Sequence, residues 1–345
     1  MGLCDGTISS ENFDPAGIDR WVINQGTWGK QKLPSYMTRV WDAVRPRLRT
    51  ICGNSEATFQ LTRSPRDEIE DGKDPYPPEV LKQWESARLF VYQNWATFYV
   101  LRPSHAEIIR RAVREITDSS KHAKKRRQVL KVAVVDRLPE KKRNIVYDTS
   151  GDGKALLRDT VKYLNTTLAP NGKKYSVADT YYTNDFGSEG SHQLEVLQDT
   201  DLVLWTHGQQ QSNVIWLPEC AIAVDLLGNR QYISMYDIAG IQTGHIYGYV
   251  YSLVGIDLLR EPNQAGLSSW PVDAGTGGRR QIRNQPVHVN FTSLTDILPH
   301  LLDLRWQCLA SGIDKLNELK VPNVTGMHLN FVTGKMGTSG SPYAN

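Results

Sequence analysis

The chain has 345 residues, 40% of them hydrophobic and 22% charged, the proportions of an ordinary soluble globular protein rather than a disordered or fibrous one. That length exceeds what one hydrophobic core usually fills, so two lobes with a cleft between them are expected. A formal net charge of +3 is too small to mark a nucleic-acid-binding protein, no run of about 18 apolar residues offers a membrane span, and residues 1–10 lack the basic-then-apolar order of a signal peptide. The chain as written is therefore expected to be soluble, without a membrane anchor in it.

Residues up to Thr117 mix aromatic clusters with Pro and Gly and show one clear amphipathic helix. It opens after Pro103, with Ser104 as the expected N-cap, and carries Ile108, Ile109, Val113 and Ile116 on one side. Residues 64–78 are polar and Pro-rich and read as an exposed loop. The basic run at 121–127 could serve nuclear import or a polyanion, but a solvated linker is the better reading. A first lobe is accordingly assigned to residues 1–128.

From Leu130 the texture changes to short apolar strands alternating with helices, the pattern of a mostly parallel sheet covered on both faces. The expected strands cover 132–135, 175–178, 201–205 and 221–226, and the helices cover 154–164 and a segment around Gln193, Leu194 and Leu197. Residues 209–216 offer a further helix start. A strand, a tight turn, a helix and a strand thus follow one another between Asp201 and Leu226 as a βαβ unit. This second lobe is assigned to 129–265. Loops and a long helix from Leu294 to about Lys320, packing back on the lobes, fill 266–332, and a Gly- and Ser-rich flexible tail fills 333–345.

Cys4, Cys52, Cys220 and Cys308 show no paired C-x-x-C spacing, so a zinc or thioredoxin-type site has little support, and Cys220 reads as a buried side chain in an apolar run. Three N-x-S/T triplets begin at Asn165, Asn290 and Asn323; they are glycan acceptors only if the chain enters a secretory lumen.

In a parallel sheet, ligands bind beyond the carboxyl ends of the strands, and His207 and Gly208 stand at such an end. His207 is expected to face the cleft there, the alternative being a hydrogen-bonded structural histidine. Gly208 allows an unusual backbone angle or a close ligand approach. Ser212 and Asn213 fall where a following helix would present free N–H groups and its positive dipole end to a diphosphate. Arg137 and Arg143 follow the first strand of the lobe and could pair bidentately with phosphate or simply be surface charges. Asp225, placed at a strand end, could accept from a sugar or ribose hydroxyl or cap a helix.

These residues carry a resemblance. Residues 201–225 are similar to the D-x-x-x-G-x-H-G-A-G-L-T-N-x-x-F-L-P segment of glycosyltransferase family 61, matching at Asp201, His207, Gly208, Ser212 (for Thr), Asn213, Leu217, Pro218 and Asp225. Arg137, Arg143 and Asn144 resemble that family's upstream arginines and Asn, Gln193 its Gln ahead of the His-Gly strand, and Tyr236, Ala239, Gly244, His245 and Tyr247 its tyrosine-rich segment. The chain departs from the pattern at Trp205, in place of Gly, and at Gln209, Gln210 and Gln211, in place of Ala-Gly-Leu.

The resemblance implies an α/β fold of the GT-B kind, two Rossmann-type lobes of which the N-terminal, acceptor-side lobe is short or diverged. It also implies an inverting, metal-independent transfer of a sugar from a nucleotide donor, a UDP sugar, to a glycan or glycoprotein acceptor in the Golgi lumen. His207 would be catalytic; Arg137, Arg143, Asn144, Gln193, Gly208, Ser212, Asn213 and Asp225 would bind substrate. No cofactor beyond the donor is implied. A degenerate nucleotide-sugar-binding module is the alternative, motivated by Gln209, Gln210, Gln211 and the short first lobe; a phosphate-binding α/β enzyme of another class is a third, resting on fold alone.

Other motifs fail on context. Asp199 and Asp201 spell the D-x-D of metal-dependent sugar transferases, yet Asp201 opens a strand and belongs with the family pattern. Neither Gly151-Asp-Gly153-Lys154 nor Gly275-Thr-Gly277-Gly278 has a nucleotide loop's surroundings, and no G-x-S-x-G occurs.

Overall fold

A computed structural model describes residues 20–24, 35–53, 55, 58–62, 103–116, 128–141, 143–148, 151–184, 190–227, 240, 243–251 and 286–312. In chain order the elements are β1 (Arg20–Asn24), α1 (Ser35–Cys52), β2 (Thr58–Thr62), α2 (Pro103–Ile116), β3 (Val129–Val135), β4 (Ile145–Tyr147) and α3 (Gly153–Thr166). They continue with β5 (Ser176–Thr183), α4 (Gly190–Leu197), β6 (Leu202–Thr206), β7 (Ile222–Leu227), β8 (Ile246–Tyr251), β9 (Val287–Val289) and α5 (Phe291–Ser311).

Largely apolar runs build the centre. Every position of β6 and β7 is buried, and a strand apolar on both sides needs a layer on each face, the usual condition of a parallel sheet. The five central strands are all parallel, in the order β5-β3-β6-β7-β8. On one face Leu130, Val132, Leu204 and Val224 pack against Leu156 and Leu164 of α3 and Ile297 and Leu301 of α5. On the other, Ala133, Val135, Val203 and Trp205 pack against Val44 and Leu48 of α1, Ala112 and Val113 of α2, and Leu194 and Leu197 of α4. The boundary expected between residues 128 and 129 thus runs between elements that share one apolar core.

Local chemistry sets the ends of several elements. Asp152 caps α3, its carboxylate accepting from the N–H groups of Lys154 at 3.1 Å and Ala155 at 3.0 Å, a contact worth about 1 kcal/mol. α2 begins at Pro103, whose missing N–H would have had no partner in a first turn, so Ser104 lies inside the helix and is not its cap. α5 ends at Ser311, short of the expected Lys320. It is stapled to the start of β7 by a Cys220–Cys308 disulfide, so Cys220 is more than a buried thiol. Among the described residues no helix is long and apolar enough to cross a membrane. The linker at 121–127, the loop at 64–78 and the tail at 333–345 lie outside the described residues.

Candidate functional site

The chain leaves β3 for β5 on one side and returns to β6 on the other, so the strand order reverses between β3 and β6. Beyond the carboxyl ends at such a reversal lies the binding crevice of doubly wound sheets. Residues 136–144 follow β3 and residues 207–216 follow β6, so the two segments singled out in the sequence meet at this edge.

His207 leaves β6 with its N–H on the carbonyl of Leu226 at 3.3 Å. Its ring Nδ1 lies 2.7 Å from Oδ2 of Asp225, which stands on the adjacent strand. An ionised carboxylate only accepts, so in this pair Nδ1 carries the hydrogen. Two expectations change here. Asp225 lies within β7, 1% exposed, so it neither caps a helix nor waits at a strand end for a hydroxyl; it is the partner of His207. His207 is itself only 3% exposed and does not face an open cleft.

Both arginines come to the same segment and neither is a free surface charge. Arg143, buried and in a left-handed backbone conformation (φ 61°), donates from Nη1 to the carbonyl of His207 at 3.0 Å. A non-glycine residue in that region costs on the order of 1 kcal/mol and persists only where its surroundings hold it. Arg137 donates from Nη2 and Nε to Oε1 of Gln210 at 2.6 and 3.2 Å. Gln210 in turn donates from Nε2 to the carbonyl and hydroxyl of Thr206 at 2.9 and 3.1 Å. Gly208 is extended rather than unusual in its backbone, and it is small for another reason: a Cβ there would run into Nη2 of Arg137. Its N–H is taken by Oε1 of Gln211 at 3.3 Å.

Residues 209–216 wind as a 3-10 helix that starts at Gln209, so Ser212 and Asn213 sit inside it and not at its positive end. Asn213 donates from Nδ2 to Oε1 of Gln193 at 2.8 Å and accepts from Nε1 of Trp216 at 3.1 Å. Gln193 is thus a half-buried tie between α4 and this turn, not a solvent-facing polar residue. Asn144 joins β4 to β9 through its carbonyl, which accepts from Val287 N–H at 2.9 Å; among the described residues its side chain makes no hydrogen bond to the cluster.

Asp136 escaped the sequence reading. It ends β3 with Oδ1 accepting from the N–H groups of Arg137 and Ile145, both at 2.7 Å, and Oδ2 accepting from the hydroxyl of Tyr182 at 3.2 Å. Burial raises its carboxyl above the ordinary range, outweighing those bonds, which pull it down. A Cβ on Gly153 would come within 2.8 Å of Asp136, so this glycine lets α3 start against the carboxylate. Asp next to the first strand's end was visible as a residue, but its partners are up to 46 positions away. Asp201 belongs at the opposite edge: Oδ1 accepts from Arg305 at 2.8 Å and Oδ2 from Lys131 N–H at 2.9 Å. Asp199 pairs with Lys131 Nζ at 3.0 Å, so each acid of the D-x-D is held by a base. Among the described residues no group of three or more His, Cys, Asp or Glu is placed to hold a metal ion.

The fold and this edge define a parallel α/β domain whose strand-order reversal gathers two guanidinium groups and a His–Asp pair, a set that can hold an anion beside a proton acceptor. No family model and no curated protein matches the chain. Among solved structures it is similar to the TT0316 protein of Thermus thermophilus, at 11% identity over 88% of this chain and 99% of that one, with a TM-score of 0.22. A similarity of that size supports no statement about fold or activity.

Proposed function

We propose that the chain is a glycosyltransferase of the GT-B kind, resembling family 61, that moves a sugar from a UDP-sugar donor to a glycan or glycoprotein hydroxyl with inversion and without a metal. The observation that carries this reading is the convergence of Arg137, Arg143, His207 and Gly208 at the strand-order reversal. Departure of a diphosphate is assisted by positive charge held near the leaving group, which Arg137 and Arg143 would supply. The bond from Nδ1 of His207 to Asp225 fixes the orientation of an imidazole beside the two arginines, the kind of group that transfers protons. The acceptor side belongs to the N-terminal lobe of the expectation.

One arrangement favours the second reading, a binding module that has lost turnover. Gln210 occupies Arg137, and Gln211 occupies the Gly208 N–H, so two of the groups that would meet a phosphate already have intramolecular partners. Incubating the full chain with UDP and GDP sugars, and measuring melting shift and donor hydrolysis together, separates the readings. Stabilisation with release of UDP supports the transferase, stabilisation alone supports the module, and neither with any nucleotide sugar rejects both.

A further inference from the structure

We propose that Asn165 is an acceptor for an N-linked glycan and that the chain matures in an oxidising secretory lumen. Two independent observations carry it, neither of which uses the proposed reaction. The first is the covalent state of the cysteines: Cys220 and Cys308, 88 positions apart and both buried, are joined, and Cys52 is disulfide-bonded as well. Such bonds form and persist in secretory and extracellular compartments and are rare where thiols are kept reduced.

The second is the local geometry of the Asn165-Thr166-Thr167 triplet. Asn165 is exposed in the last turn of α3, and its Oδ1 accepts from the Val177 N–H at 3.1 Å, tying the helix end to β5. That bond uses the carbonyl oxygen, which glycosylation leaves in place, and not the amide nitrogen that the sugar takes. Asn290 differs: it is half-buried and caps α5, with Thr292 N–H on its Oδ1 at 2.8 Å. Asn323 lies outside the described residues.

In the transfer, Nδ2 of Asn165 forms a bond to the anomeric carbon of a lipid-diphosphate-linked oligosaccharide and gives up one proton to the transferring enzyme. The bond from that carbon to the diphosphate breaks, and the lipid diphosphate leaves with the electron pair.

The test is made on the full-length chain expressed in eukaryotic cells. Peptide N-glycanase in heavy-oxygen water should increase electrophoretic mobility and leave a labelled aspartate in place of Asn165, while peptide mapping without reductant shows Cys220 joined to Cys308. Asn165→Gln and Thr167→Ala should both lose the label, and Thr167→Ser should keep it; the serine keeps the Val177 bond and a hydroxyl for the carbonyl of Tyr163, and the Cys220–Cys308 bond in each variant checks that it has folded. An unlabelled Asn165 in protein that carries the Cys220–Cys308 bond overturns the acceptor assignment. Protein recovered with Cys220 and Cys308 reduced overturns the compartment.

Discussion

Arg137 is held against Gly208 by Gln210, whose amide oxygen stands 2.6 Å from Nη2 of the guanidinium. Gln210 is one of the positions where the chain departs from the family 61 pattern, and it occupies a guanidinium that the proposed function assigns to the donor diphosphate. If donor phosphate binds Arg137, it must first displace this amide. Gln210→Ala should therefore tighten UDP binding, whereas Arg137→Ala should weaken it by roughly tenfold or more, the size of a charge-assisted bond of about 1.5–3 kcal/mol. Arg137→Lys should recover only part, because an ammonium lacks the planar fork. Calorimetric titration of UDP into the three variants decides; unchanged affinity in all of them removes Arg137 from the site.

Gly208→Ala tests the same contact from the backbone side. The added Cβ meets the far end of a flexible side chain, so Arg137 should swing away and the fold should survive. The expected outcome is a melting temperature close to wild type and a UDP affinity lowered as far as in Arg137→Ala. A loss of cooperative melting would show that Gly208 is needed for packing instead.

The buried strands β3, β6 and β7 were legible because a short, largely apolar run bounded by polar turns is the pattern of a strand covered on both faces, and with them came the edge where His207 and Gly208 stand. Contacts between segments were not. Nothing in an 18-residue spacing says that Asp225 meets the ring of His207, since strand register, not sequence distance, brings them together. α1 was missed: it carries Pro46, a residue type that ordinarily interrupts a helix, inside an 18-residue helix whose Val44 and Leu48 face the core. The 3-10 winding of residues 209–216 shifted Ser212 and Asn213 away from a helix start, a difference of pitch that composition does not encode.

Reducing the Cys220–Cys308 bond should lower stability measurably. A closed loop of 88 positions restricts the unfolded chain by an amount worth on the order of 4 kcal/mol in the chain-entropy picture. Urea unfolding of Cys308→Ser against wild type should show a loss of about 2–5 kcal/mol. An unchanged midpoint, with the bond verified in the wild type, would mean that α5 is held by its apolar contacts alone.

Asp136 gives a pH signature with a defined sign. Burial raises its folded-state carboxyl, so ionisation costs the folded chain more than the unfolded one. Its contribution is therefore fully present below the unfolded value of about 3.9 and is lost as pH rises through the raised folded value. Asp136→Asn removes this titration. The difference in unfolding free energy, wild type minus variant, should fall as pH rises from about 3.9 upward; a difference that grows instead would show that the N–H bonds from Arg137 and Ile145 outweigh burial.

The pairing of His207 with Asp225 allows its chemistry to be separated from its structural role. His207→Ala is a poor probe, because it leaves a buried carboxylate without a partner, a change that typically costs about 3–5 kcal/mol. His207→Asn is better: its Nδ2 can stand where Nδ1 stood and keep the bond to Asp225, while nothing replaces Nε2. Asp225→Asn is the complement, offering an amide that can donate to Nδ1 and so transfer the ring hydrogen to Nε2. If His207 transfers a proton in sugar transfer, both variants should lose on the order of a hundredfold or more in kcat while melting within about 1–2 kcal/mol of wild type and binding UDP unchanged. A purely structural His207 predicts the reverse pattern, in which stability moves with the bond to Asp225 and turnover follows only the folded fraction. Turnover per folded molecule, measured for both variants at a temperature well below either melt, distinguishes them; full specific turnover in His207→Asn would remove His207 from the reaction.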